Sequence, residues 1–199
     1  MKYSTISRPA KIWPLAIVFE GGLGLVALAL GWLVGQSPAA RIQFSASAAA
    51  IGCAASVPLL LALVAMSRGR AGWCVGLRQV VQDMIVPLFQ QCGALDLALI
   101  SLFAGVGEEL LFRGLIQTAL GAWFSPAVGL VAASLLFGLA HPLTPVYAVV
   151  TALAGVYLGG LFLACDNLLV PIVTHAVYDF LALLYLLRRY RVAGATQPE

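Results

Sequence analysis

Charge is the scarcest property of this 199-residue chain. Asp, Glu, Lys and Arg make up 10% of it against 62% hydrophobic residues, and only eight side chains are acidic. Mean hydropathy is +0.99. So thin a polar coat excludes an ordinary water-soluble domain. The net charge of +3 comes from short basic patches beside apolar runs. No basic stripe of the kind that tracks a phosphate backbone is present, and no nucleic-acid partner is expected. Cys53, Cys74, Cys92 and Cys165 are scattered without a Cys-x-x-Cys pair. That removes support for a disulfide framework or a thiolate metal site, and leaves them as small apolar residues in or near hydrophobic segments. Ser-x-x-Lys, Gly-x-Ser-x-Gly and His-Glu-x-x-His are missing too, so a serine nucleophile and the usual zinc-binding helix have no signature here.

What the chain does have is a succession of apolar runs of about 18 residues or more, the length of a membrane span. The pattern predicts an all-α, multi-pass transmembrane bundle forming one domain over residues 1–199, with about six spans near 14–34, 46–66, 95–120, 126–141, 147–164 and 168–187. The first run exceeds the ~7–15 residues of a signal-peptide core, which favours a retained anchor. Its Glu20 either lines a polar interior or reaches the interface. Between the second and third spans, Trp73, Leu77, Val80, Val81, Met84, Ile85 and Leu88 recur at helical spacing among Arg78, Gln79, Gln82 and Asp83. That predicts an interfacial helix over about 73–89. Gly31-x-x-x-Gly35 and Gly155-x-x-x-Gly159 would allow close helix contact. Lys2, Arg8, Lys11, Arg68, Arg70, Arg78, Arg188, Arg189 and Arg191 all fall on one side of a six-span arrangement, and Arg41 alone on the other. Both termini are then expected in the cytoplasm, with the chain in the plasma (cytoplasmic) membrane in contact with lipid.

Against this background, the run Gly107-Glu108-Glu109-Leu110-Leu111-Phe112-Arg113-Gly114 stands out. A charge at the centre of a bilayer helix costs roughly 2.5–3.5 kcal/mol on insertion scales, so an intramembrane ionisable group is a functional-site hypothesis by default. Glu109 and Arg113 are spaced i, i+4 with the acid N-terminal, the favourable orientation for an internal ion pair. Glu108 lies about 100° further round the helix and is left to face a cavity. Two later spans carry i, i+4 clusters of their own, Phe137-x-x-x-His141 and His175-x-x-x-Asp179, which contain both histidines of the chain. A rise of ~1.5 Å per residue puts Glu108, His141 and His175 at similar depth. One shared site is therefore expected. A carboxylate with two imidazoles suits activation of a water by Glu108 with help from His141, and stabilisation of an oxyanion by His175. Ligation of Zn2+ by Glu108, His141 and His175, with an open water position, is the alternative chemistry for the same set.

In order and character, Glu108-Glu109-x-x-x-Arg113, Phe137-x-x-x-His141 and His175-x-x-x-Asp179 resemble the three motifs of the CPBP family, which comprises CAAX-type prenyl-protein endopeptidases and bacteriocin-processing or immunity (Abi) proteins. The resemblance covers about 105–187. It implies a glutamate-dependent intramembrane endopeptidase, in a family often classed with metalloproteases, acting on a membrane-associated protein or peptide. By this likeness Glu108 is the water-activating base with His141. Glu109, Arg113 and Phe137 support the site, and His175 with Asp179 binds the oxyanion, with no cofactor required. Asp179 stands where the prenyl-protein endopeptidases have Asn. An Asp donates a hydrogen bond there only when protonated. A non-catalytic immunity or assembly factor that keeps the polar core is the competing reading. A proton-coupled carrier would show repeats in matching halves, and none is visible.

Overall fold

A computed structural model describes residues 13–194, with side chains through residue 190. Lys2, Arg8 and Lys11 of the charge count, and the side chain of Arg191, lie outside the described residues. Within them every regular element is a helix and no strand occurs. The bundle is all-α and multi-pass. Its helices are α1 (Trp13–Leu33), α2 (Ala46–Arg68), α3 (Gly72–Val80), α4 (Val86–Phe89), α5 (Ala94–Glu109), α6 (Thr118–Trp123), α7 (Pro126–Leu139), α8 (Pro145–Cys165) and α9 (Leu169–Gly194). Two stretches, Val81–Ile85 and Leu110–Gln117, are wound as π-helix and join α3 to α4 and α5 to α6 without a break.

The helices start and stop where the local chemistry requires. Ser45, Ser125 and Thr144 each cap an N-terminus by accepting a bond from the backbone N–H three residues on, and Pro126 and Pro145 follow the latter two at the first helical position. α8 ends on Asp166 in the left-handed conformation, φ 46°. Helices α1, α2, α8 and α9 are long and apolar enough to cross a membrane. Their outer faces expose residues no aqueous surface would carry in such density, among them Leu15, Phe19, Leu25, Trp32 and Leu153.

Two stretches differ from uniform spans. The glutamate-bearing rod, 94–123, runs unbroken but turns π over 110–117 before returning to α. The expected span 126–141 is α7, whose 14 residues give about 21 Å of helix, short of the ~30 Å hydrocarbon core. Pro142 cannot continue it, so α7 ends at the site and delivers His141 there. The expected surface helix over 73–89 is helical throughout as α3, π turn and α4.

α1 packs on α5, α2 on α9, α5 on α9 and α7 on α8. The α1–α5 crossing is closest at Gly107, where an added Cβ would collide with the backbone carbonyl oxygen of Glu20. At one end of the bundle Arg189 donates to the Ser67 carbonyl at 3.3 Å, which gathers the basic ends of α2 and α9. At the other, Arg41 pairs with Asp166 at 2.7 Å, both exposed.

Candidate active site

Glu109 is the centre of a sealed ion network. Its side chain is 0% exposed and that of Arg113 1%. Oε1 of Glu109 accepts from Arg113 Nη1 at 2.8 Å and from His175 Nδ1 at 2.8 Å. Arg113 passes a second N–H to the Gly155 carbonyl at 3.1 Å, and one turn on Gln117 does the same to Gly159 at 3.1 Å. The small residues at 155 and 159 let α8 approach closely enough for its carbonyls to be reached. A Cβ on Gly155 would sit 3.4 Å from Arg113 Nη2, and one on Gly159 2.5 Å from Gln117 Oε1. The ring of Phe137 lies 4.4 Å from the Arg113 guanidinium carbon, in cation–π range. It also packs against His141 at 4.9 Å and His175 at 6.0 Å between ring centroids.

One residue earlier on the same helix, Glu108 is also buried, yet it is held quite differently. Its Oε1 lies 3.8 Å from His141 Nε2 and its Oε2 3.8 Å from His175 Nε2. Oε2 makes no hydrogen bond. The two imidazoles thus flank the carboxylate, one per oxygen, and each is aimed through its other nitrogen. His141 Nδ1 donates to the Phe137 carbonyl at 2.8 Å, and His175 Nδ1 to Glu109 at 2.8 Å. Such anchoring fixes which ring nitrogen faces the site. Asp179 Oδ2 is 3.4 Å from His175 Nε2, so three carboxylates face His175.

The structure therefore brings Glu108, His141, His175 and Asp179 together, with Glu109, Arg113 and Phe137 beneath them. Glu108, His141 and Asp179 border a cavity of about 290 Å³ that also carries Glu20, Tyr147 and Tyr178, and His175 stands behind them, 3.8 Å from Glu108 and 3.4 Å from Asp179. Its apolar walls come from α5 (Ile100, Ala104), α9 (Ala182, Leu183, Leu186) and the α3–α4 segment (Val81, Ile85, Phe89). The cavity extends towards the arginine-rich end of the bundle. The pattern of single helices gave no sign of the bond from His175 to Glu109, of Tyr147 or of Tyr178. Glu20 was visible as a charge in a span but not as a neighbour of Glu108.

Carboxylate and Nε2 donors are of the kind zinc takes. Among the described residues, however, no group of three or more His, Cys, Asp and Glu side chains is gathered closely enough to hold a metal ion. The residues as placed do not form a metal cage.

Buried carboxylates and imidazoles around a membrane-protein cavity define a class of site suited to proton transfer and hydrolysis rather than to thiol or serine chemistry. Residues 90–181 match the family model described as type II CAAX prenyl endopeptidase Rce1-like, and this shows the CPBP likeness that the three motifs carry. The family is one of CAAX-type intramembrane proteases. No curated protein and no solved structure matches the chain.

Proposed function

We propose that this protein is an intramembrane endopeptidase that hydrolyses a peptide bond of a membrane-associated protein or peptide, with Glu108 activating the water. The observation that supports this most directly is the pair of 3.8 Å separations between Glu108 and the two Nε2 atoms. They are too long for direct hydrogen bonds and of a length that one water can bridge. A water held by Glu108 and His141 gives up a proton to the carboxylate as its oxygen attacks the carbonyl carbon. The oxyanion that forms is met by His175, whose Nε2 donates in the imidazolium form, and by Asp179 when protonated. Glu109, Arg113 and Phe137 hold His175 and His141 at the angles this requires.

No step in this mechanism passes through a metal. The cavity reaches towards Arg68, Arg70, Arg78, Arg188 and Arg189, which the positive-inside rule places in the cytoplasm, so substrate enters from that side. Its apolar walls suit a lipid-modified or strongly apolar residue beside the scissile bond.

The test uses the purified full chain in lipid vesicles with an internally quenched peptide carrying a farnesylated cysteine near its C-terminus. Cleavage by the wild type, resistance of that cleavage to phenanthroline and its loss in Glu108→Gln support the reading. Loss to the chelator with recovery on adding zinc overturns the metal-free mechanism. Undiminished cleavage by Glu108→Gln overturns the role of Glu108.

A further inference from the structure

We infer that Glu20 is a catalytic residue, the acid that protonates the departing nitrogen. This rests on the endopeptidase reading above. Glu20 is on α1, outside the stretch that matches the family model. The mechanism so far assigns no proton donor to the leaving group. His141 and His175 both commit Nδ1–H to fixed acceptors, the Phe137 carbonyl and Glu109. A neutral His141 therefore presents an acceptor to the cavity and not a donor, and the Nε2–H of the His175 imidazolium is taken up by the oxyanion. Glu20 fills that gap by position. It lines the same cavity as Glu108, and its Oε2 is buried without a hydrogen-bond partner, as is Oε2 of Glu108. It lies within the electrostatic reach of Glu108, Asp179 and His175. Glu20 is half-buried and Glu108 buried, and two carboxyls on one cavity are least costly when they hold a proton between them. The backbone is fixed as well, because the Glu20 carbonyl abuts Gly107, the residue before Glu108.

The step balances. Glu108 takes one proton from water while the water oxygen bonds to the carbonyl carbon and the carbonyl electron pair moves to its oxygen. When that pair returns, the C–N bond breaks. The nitrogen leaves with the bonding electrons and takes the Glu20 proton. The proton on Glu108 then passes to Glu20, and the products are an amine and a carboxylic acid.

Leaving-group dependence tests this. The full chain in vesicles is given two probes with the same farnesylated acyl part, a peptide amide and a phenyl ester whose phenolate departs without a proton. Glu20→Gln is expected to lower kcat on the amide by about 10²-fold or more, the usual worth of a general acid, with KM little changed and the ester hydrolysed at close to the wild-type rate. Glu20→Asp, which retains a carboxyl on a shorter arm, gives the same reading should the Gln variant not fold: a loss on the amide and none on the ester. Equal losses on amide and ester, or no loss on either, overturn the inference. Glu108→Gln should abolish both reactions, and amide cleavage surviving in it would defeat the endopeptidase reading itself and not Glu20 alone.

Discussion

Two neighbouring glutamates on one helix are used in opposite ways. Glu109 is fully buried and bonded at 2.8 Å to both Arg113 and His175. Glu108 is buried beside it, yet the Nε2 atoms of both histidines stand 3.8 Å away. The difference comes from rotation about the helix axis. Glu109 points into the seam where the rod meets α8 and α9, while Glu108 points into the cavity. A carboxylate with its partners already in place is held in one state by them, so it stabilises the fold but has little capacity left for a reaction. A carboxylate kept just beyond hydrogen-bond contact is free to take a proton and to admit a small molecule.

Removing either residue should therefore fail in its own way. Glu108→Gln keeps the volume and removes the base. A folded protein with peptide cleavage reduced by more than about 10³-fold is expected, since base and water activation are lost together, measured by the quenched-peptide assay alongside size-exclusion elution. Glu109→Ala strands Arg113 in a fully buried place, a loss of roughly 3–5 kcal/mol. It should appear as poor accumulation and early thermal unfolding in detergent. If both variants accumulate equally and only the Glu109 one is inactive, the assignments are reversed.

Asp179 sharpens the contrast from the cavity side. If it acts as a donor, Asp179→Asn retains the amide N–H and should cleave at near wild-type rates. Asp179→Ala should lose about 10²-fold, comparable to removal of an oxyanion contact. Equal collapse of both variants would show that its charge, rather than its donated hydrogen bond, matters. The smallest effect is expected at Gly155→Ala, which adds a methyl 3.1 Å from the Ser134 Cα and 3.4 Å from Arg113 Nη2. Crowding of this kind costs about 1–3 kcal/mol. A lowered Tm with unchanged kcat would place the defect in the frame; a changed kcat with unchanged Tm would place it in the site.

Much of this was legible in the sequence because it repeats within single helices. The i, i+4 spacings of Glu109 with Arg113, Phe137 with His141 and His175 with Asp179 are local, and in the structure each pair is in contact. The stop of α7 was legible because Pro142 cannot continue a helix, and the expected end at 141 lies two residues past the observed Leu139. The bond from His175 to Glu109 joins residues 66 apart in the chain, and no periodicity reports such a distance. Glu20 was hidden for the same reason: its neighbours come from α5 and α9, and a lone charge in a span looks alike whether it faces lipid or a cavity. The residue types alone suggested water activation by Glu108 with His141 and oxyanion binding by His175, with zinc ligation left open, while the role of Asp179 came only as what the family likeness implies.

The π-wound stretch Leu110–Gln117 bears on how the chain tolerates change in its own length. A π turn accommodates one residue more than an α turn between bonded backbone groups, so the rod behaves as an α-helix storing an insertion just after its glutamates. Deleting a residue such as Leu111 would let the ladder relax to α and swing everything beyond it around the axis, parting Arg113 from Glu109. Deletions of the same size in the loop between α1 and α2, which lies outside any helix, shift no such phase. The two halves of the molecule thus keep different accounts of length, and the stricter one runs through the residues that hold the histidines in place.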